Sequence, residues 1–376
     1  MSIRFGCKLS FFCYLLVCFF LSCKTVSDDL PESGLTTWKM EVEYEDLGML
    51  NNSVTAKYSV FANLKISSSS YRIKINYAGR STLDAPKKSY DVHFDKPYRG
   101  RRVWRLSAQY KDPTMIKAKL GFDIFEAAGL WAPQVEFVSL HVNREVKGLY
   151  QLQSLVDKEF FRARDYNVRY LFKAKFGNAG FGKDFLPKLG EAYSERFDKD
   201  DWTQITRLWV VLNQEEVDLK EVAALINVDL YLRYVAACVV LNHWDGYRNN
   251  YYLGTRQKAE PFVIVPWDLD RIYEDGYEYQ AGVSPFGDNQ LTQALLVDPT
   301  YKKAYLTILR ELLASPPVAQ INERAREFAE LIEKAYAQDY ILSRRFDFQI
   351  EQDRLNRHIT NWLTKLKAEL ATLSDS

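Results

Sequence analysis

Cysteine is nearly missing from the body of this chain. Four of its five cysteines, Cys7, Cys13, Cys18 and Cys23, fall at the N-terminus, and only Cys238 follows. A lone thiol closes no internal disulfide, so the domain must be held by its core. Cys238 sits within Val235-Ala236-Ala237-Cys238-Val239-Val240 and reads as a small buried hydrophobe rather than a nucleophile. A net field of one sign is missing too. Lys+Arg number 50 against 49 for Asp+Glu, which argues against a nucleic-acid partner. With four histidines and no His-Glu-x-x-His pair, zinc chemistry is disfavoured. No internal repeat and no low-complexity tract is visible.

The N-terminal apolar run, residues 9–21, is shorter than the ~20 residues a spanning helix needs. Arg4 and Lys8 precede it, and small Ser22 follows before Cys23, the pattern of an export signal over residues 1–22. Phe20-Leu21-Ser22-Cys23 looks like a bacterial lipobox, which predicts a membrane anchor through a lipid on Cys23. Residues 23–36 are polar and read as a tether, leaving residues 37–376 as the folded domain. The expected location is outside the cytoplasm, membrane-anchored or secreted.

Apolar residues make up 47% of the chain, enough for a substantial core. Residues 38–97 favour strands, with period-two alternation clearest at 38–44, 71–77 and 89–94. A helix is expected over about 114–128, then a hairpin of 135–142 with 148–153 around Asn143. Gly177, Gly180 and Gly182 read as a surface loop. Residues 228–241 carry only Asp229 and Arg233 as charges, so this helix, with Asn227 as its cap, belongs in the core. Residues 319–373 read as a charged helical extension. Strands first and helices later describe an α+β protein with two lobes.

The buried helix runs into His243-Trp244-Asp245-Gly246-Tyr247-Arg248-Asn249-Asn250. This is the His-x-Asp-x-x-x-x-Asn spacing of a protein-kinase catalytic loop. One carboxylate there meets an acceptor hydroxyl while an amide oxygen of the same loop faces a metal ion. A hairpin of 251–254 with 262–265 then delivers Trp267-Asp268-Leu269-Asp270 where a kinase places its metal-binding acidic turn. Asp-Gly is also a common turn, and a lone Asp268 could merely cap a loop. The order of helix, loop, hairpin and acidic turn favours the functional reading.

At these residues the sequence resembles the spore-coat CotH family of atypical protein kinases. Gly79-Arg80-Ser81 with Pro86-Lys87-Lys88-Ser89-Tyr90, Asp112-Pro113-Thr114, Val142-Asn143 with Gly148-Leu149-Tyr150, and the two acidic motifs carry the resemblance. It implies a two-lobed kinase-like fold that moves phosphate from ATP to protein, the chain itself included as an acceptor, with Mg²⁺ or Mn²⁺. Carried over by position, Asp245 accepts the hydroxyl proton, and Asn250 and Asp268, with Asp270 as an extra ligand, hold the metal. Lys88 or Lys87 would meet the nucleotide phosphates, with Glu126 as their partner on the early helix. Against the family pattern, Asp268-Leu269-Asp270 replaces Asp-Phe-Gly, Gln153 stands where relatives tend to have Glu, and no glycine-rich lid precedes Lys88. Two other classes compete: a non-catalytic surface adhesin or assembly protein on the same scaffold, and a carbohydrate-active protein using Asp245 and Asp268 as an acid/base pair. The second gives Asn250 no role.

Overall fold

The computed structural model describes residues 32–53, 58–197, 199–274 and 283–373. The export signal, Cys23 and most of the tether lie outside the described residues. A compact unit spans Ser33–Ser376.

Seven strands form its β-rich first part: β1 (Thr36–Glu41), β2 (Ser59–Ile66), β3 (Ser69–Ala78), β4 (Ser89–Tyr98), β5 (Arg101–Ser107), β6 (Val135–Val142) and β7 (Glu145–Ser154). They close into a barrel in the order β1-β2-β3-β4-β5-β7-β6. Alternation explains the closure. In β2, Val60, Ala62, Leu64 and Ile66 point inward while the residues between them face water. Trp38, Ile73, Ile75, Val92, Leu106 and Leu140 fill the interior. The seam is a parallel pairing of β1 with β6, from Thr36↔Val138 to Met40↔Val142. Asn143, in a left-handed conformation, extends that seam with its side chain. Its amide accepts from Val42 N at 2.8 Å and donates to Val42 O at 2.7 Å. A barrel leaves no edge strand to pair with other chains.

A helix α1 (Tyr44–Asn52) sits between β1 and β2, and α2 (Lys117–Ala127) between β5 and β6. After the barrel the chain forms α3 (Lys158–Arg162), β8 (Tyr170–Ala174), α4 (Leu189–Ala192), β9 (Tyr193–Glu195), α5 (Thr203–Leu212), α6 (Leu219–Leu225) and α7 (Val228–Val240). The strands β10 (Tyr251–Thr255) and β11 (Val263–Pro266) follow. A second sheet results, in the order β11-β10-β8-β9. The remainder is helical: α8 (Gln290–Leu296), α9 (Pro299–Ala314), α10 (Pro316–Ala319), α11 (Ile321–Ala337), α12 (Tyr340–Arg345) and α13 (Phe348–Thr372).

The mixed α+β character, β-rich first and helical later, agrees with the sequence. The expected single early helix is instead two, because α1 interrupts the stretch expected to be all strand. Helix α7 is buried on nearly every face, as its composition requires, and Asn227 caps it by accepting from Leu230 N at 3.1 Å. The C-terminal helices are tied to this core. Trp362 of α13 donates its indole N–H to Val239 O at 2.8 Å, and Gln352 donates to Thr114 O at 2.9 Å.

Candidate active site

Helix α7 stops where Asn242 takes a left-handed turn, and His243 N returns to Cys238 O at 2.8 Å. One 3₁₀ turn, Trp244–Tyr247, then presents Asp245. Gly246 is required at this turn, because a Cβ there would lie 2.5 Å from the His243 ring and 2.9 Å from Cys238 Sγ. His243 is fully buried, with neither ring nitrogen bonded, and burial pushes its pKa down to about 3. It supports the loop as a neutral ring.

Asn250 closes the loop, again in a left-handed conformation. Its amide nitrogen donates to Asp245 Oδ2 at 2.9 Å and to the Asp268 carbonyl at 3.0 Å. Trp267 N donates to Asn250 O at 2.9 Å, extending the β10–β11 ladder in which Tyr251 faces Pro266. The hairpin therefore sets Asp268 beside Asn250 by backbone register. Asp268 is itself left-handed, which turns the chain so that Leu269 packs inward against α2. Gly121 makes room for it, since a Cβ would lie 2.7 Å from Leu269 Cδ1.

Asp245, Asn250, Asp268 and Asp270 line one cavity of about 640 Å³, with Gln153 of β7 and residues 78–82 after β3 among its other walls. Burial raises the Asp245 pKa, and the Asp268 charge adds to that, against hydrogen bonds from Asn249 and Asn250. Burial, then the Asp268 charge, raises Asp270 well above the carboxylate range. Crowded carboxylates of this kind are relieved by a cation. Among the described residues no group of three or more His, Cys, Asp or Glu side chains is arranged to hold a metal ion. The available donors are the carboxylates of Asp268 and Asp270 and the amide oxygen of Asn250, whose nitrogen is already committed. That set fits Mg²⁺ or Mn²⁺ completing its shell from water and phosphate oxygens, as Mg²⁺ commonly does.

The cations expected from sequence lie elsewhere. Lys87 forms a buried ion pair of 2.8 Å with Asp339 and also donates to Leu149 O. Lys88 donates to Leu83 O. Both line a separate cavity with Tyr77, Tyr90 and Tyr150. Glu126 is exposed on α2. Neither lysine shares the acidic cavity, and Glu126 does not line it. Its basic walls come from Arg80, which belongs to Gly79-Arg80-Ser81, and from Arg105, Lys111, Lys173, Arg196 and Arg271, which sit in no recognisable motif. Period-two alternation around Arg105 and Lys173 was the one available signal. Residues 177–182 are also closer to the site than a free surface loop would be. Ala179 N donates to Arg248 O at 2.9 Å, fastening this segment to the loop of residues 243–250.

The protein-family model described as CotH kinase protein matches residues 75–366. The inner spore coat protein H of Bacillus subtilis is 27% identical over 91% of this chain and 99% of that protein. The inner spore coat protein H-like protein of the same organism is 20% identical over 77% of this chain and 87% of that protein. Invasin CotH7 of Rhizopus delemar is 23% identical over 62% of this chain, which spans 43% of that longer protein. A solved structure titled as the Shewanella oneidensis toxin–antitoxin system HipA, HipB and operator DNA complex aligns over 72% of this chain and 61% of that one. Its TM-score is 0.33 at 9% identity, a likeness too slight to bear on the fold. The family match takes in Gly79-Arg80-Ser81, the catalytic-loop spacing and the acidic turn together, and this chain belongs to the CotH kinase protein family.

Proposed function

We propose that this chain is a two-lobed, protein kinase-like phosphotransferase that moves the γ-phosphate of ATP to protein Ser or Thr outside the cytoplasm. The carrying observation is the Asn250 amide, which joins the Asp245 carboxylate to the Asp268 backbone in one cavity. A base and a metal-binding turn held that way suit phosphoryl transfer, where catalysis is mostly positioning and charge stabilisation. Asp245 orients the acceptor hydroxyl and takes its proton as the new O–P bond forms and the bond to the ADP oxygen breaks. Asn250, Asp268 and Asp270 would hold Mg²⁺ or Mn²⁺, which would supply neutralisation of charge on the phosphates. Family membership and the names of the relatives, spore coat proteins and an invasin, support action at a surface. So does the N-terminal pattern of an export signal, which, if processed at Cys23, would leave a lipid anchor there.

Mass spectrometry after incubation with ATP and Mn²⁺ tests the reading on the chain itself and on added protein. Phosphate should appear on Ser or Thr, and Asp245→Ala should lower its rate ~10²–10⁴-fold without unfolding the protein. Unchanged transfer in that variant removes the assignment of Asp245. A chain that binds no ATP, with or without metal, would instead be a non-catalytic surface or assembly protein.

A further inference from the structure

With Lys87 and Lys88 outside the acidic cavity, a polyphosphate there has to meet a different cation. Most candidates are already engaged. Arg105 is held by Asp91 through two bonds, of 2.8 and 3.1 Å. Lys111 donates to Ser81 Oγ at 2.8 Å, and Arg271 bonds Glu274 at 3.4 Å while lying over the Trp244 ring. Lys173 is placed differently. It projects from β8, where it pairs across the sheet with Tyr252, and Tyr252 follows Asn250 by two residues. Its amine stands 5.3 Å from the Trp267 ring and 5.7 Å from the Tyr252 ring. Trp267 directly precedes Asp268.

Two aromatic faces hold the ammonium in place without neutralising it. No carboxylate among the described residues lies within ion-pair distance of it. Burial, Arg105 and Arg196 disfavour its charged form while Asp268 and Asp91 favour it from farther off, so an anion placed directly beside it would be stabilised.

We infer that Lys173 is the phosphate-gripping residue of this chain, meeting the polyphosphate end of a nucleoside triphosphate beside the metal held at Asp268. The assignment rests on the phosphotransfer reading above. It moves the cation from the barrel strand where sequence placed it to the second sheet, on the same side as the metal residues. Register then fixes it: β8 and β11 flank β10, so Lys173, Asn250 and Asp268 are set by one hairpin and its neighbour.

The test is nucleotide binding by the full chain, measured by calorimetry with Mg²⁺ and ATP, ADP or adenosine. Lys173→Met should weaken ATP binding roughly 10- to 100-fold, the loss of a charge-assisted bond to phosphate, and leave adenosine unaffected. Lys173→Arg should retain most of the affinity, and Lys88→Met all of it. ATP binding by Lys173→Met as tight as wild type, while Asp268→Asn loses metal-dependent binding, overturns the inference and leaves the kinase reading standing. Wild-type protein that binds no nucleotide overturns both.

A second measurement avoids variants. Acetylation of Lys173 by an amine-selective reagent, followed by mass spectrometry, should be slowed by ATP with Mg²⁺ and by tripolyphosphate, and not by adenosine. Equal labelling in all cases rules the contact out even if Lys173→Met fails to fold.

Discussion

Lys87 and Asp339 form an ion pair of 2.8 Å that is sealed from solvent on both sides. It joins the barrel to the C-terminal helices, because Asp339 also caps α12 and accepts from Leu149 N at 3.1 Å. Gly148, at φ +86, lets the carboxylate approach; a Cβ there would lie 2.4 Å from Asp339 Oδ2. Removing one member of such a pair strands a buried charge, at a cost of about 3–5 kcal/mol. Lys87→Met should therefore lower the unfolding free energy by about that amount. Adding Asp339→Asn, which removes the charge and keeps the α12 cap through one oxygen but loses the acceptor for Leu149 N, should recover part of it. Denaturant titration of the single and double variants checks this. Recovery that fails to appear would mean that Lys87 contributes through something other than Asp339.

A tighter restraint operates at the loop of residues 243–250. Gly246 has no positive φ to justify it, so its requirement is purely one of space against His243 and Cys238. Gly246→Ala overpacks that corner, which typically costs about 1–3 kcal/mol, and displaces the turn carrying Asp245. Phosphotransfer should fall more than stability does. Pairing it with Cys238→Ala should restore part of the stability, because it removes one of the two atoms struck. Thermal melts and transfer rates on the three variants separate these effects.

Where local pattern decides structure, the sequence was readable. The alternation in β3 and β4, the β6–β7 hairpin, the apolar helix α7 and the β10–β11 hairpin all lie where periodicity and turn residues put them. Barrel closure was not readable, because a parallel pairing of β1 with β6 depends on long-range register rather than on any residue in either strand. The site divided in the same way. Asp245, Asn250 and Asp268 came from spacing within one loop and one hairpin, which chain connectivity enforces. The cations did not. Pro86-Lys87-Lys88-Ser89 looks like a phosphate-facing strand start, yet Lys87 turns toward Asp339, a residue that sequence gives no reason to connect with it. Arg105 reaches the cavity from β5, a hairpin with β4 whose other neighbour, β7, is set by tertiary pairing, and Lys173 from β8, which tertiary pairing sets beside β10.

His243 gives the fold a defined acid sensitivity. Its pKa is about 3 in the folded chain and ~6.5 when unfolded. Below pH ~6.5 the unfolded state binds a proton that the folded state refuses. The stabilisation is thus complete above that value and is lost as pH falls toward 3, at about 1.4 kcal/mol per unit. His93 and His141 are also lowered by burial, so the informative quantity is a difference between proteins. Between pH 7 and 5, His243→Leu should lose about 2 kcal/mol less unfolding free energy than wild type. Equal losses in urea titrations at the two pH values would sink the argument.

Asp270 should show opposite effects with and without metal. It is held close to Asp268 in a recessed position, and burial and that neighbouring charge both penalise its ionised form. Asp270→Asn removes the penalty, so the metal-free variant should melt higher than wild type. The same change removes a carboxylate from the proposed Mg²⁺ or Mn²⁺ donors. Ligand that binds only the folded state stabilises it by RT ln(1 + [L]/Kd), about 2.7 kcal/mol at a hundredfold excess over Kd. At equal ATP and Mn²⁺ the variant should gain much less than wild type does, so that the two melting curves approach or cross. Melting scans with and without ATP and Mn²⁺ read both arms. A variant less stable without metal would show that Asp270 serves the fold through contacts other than its charge. A variant with an undiminished ligand-induced shift would show that it is no part of the metal site.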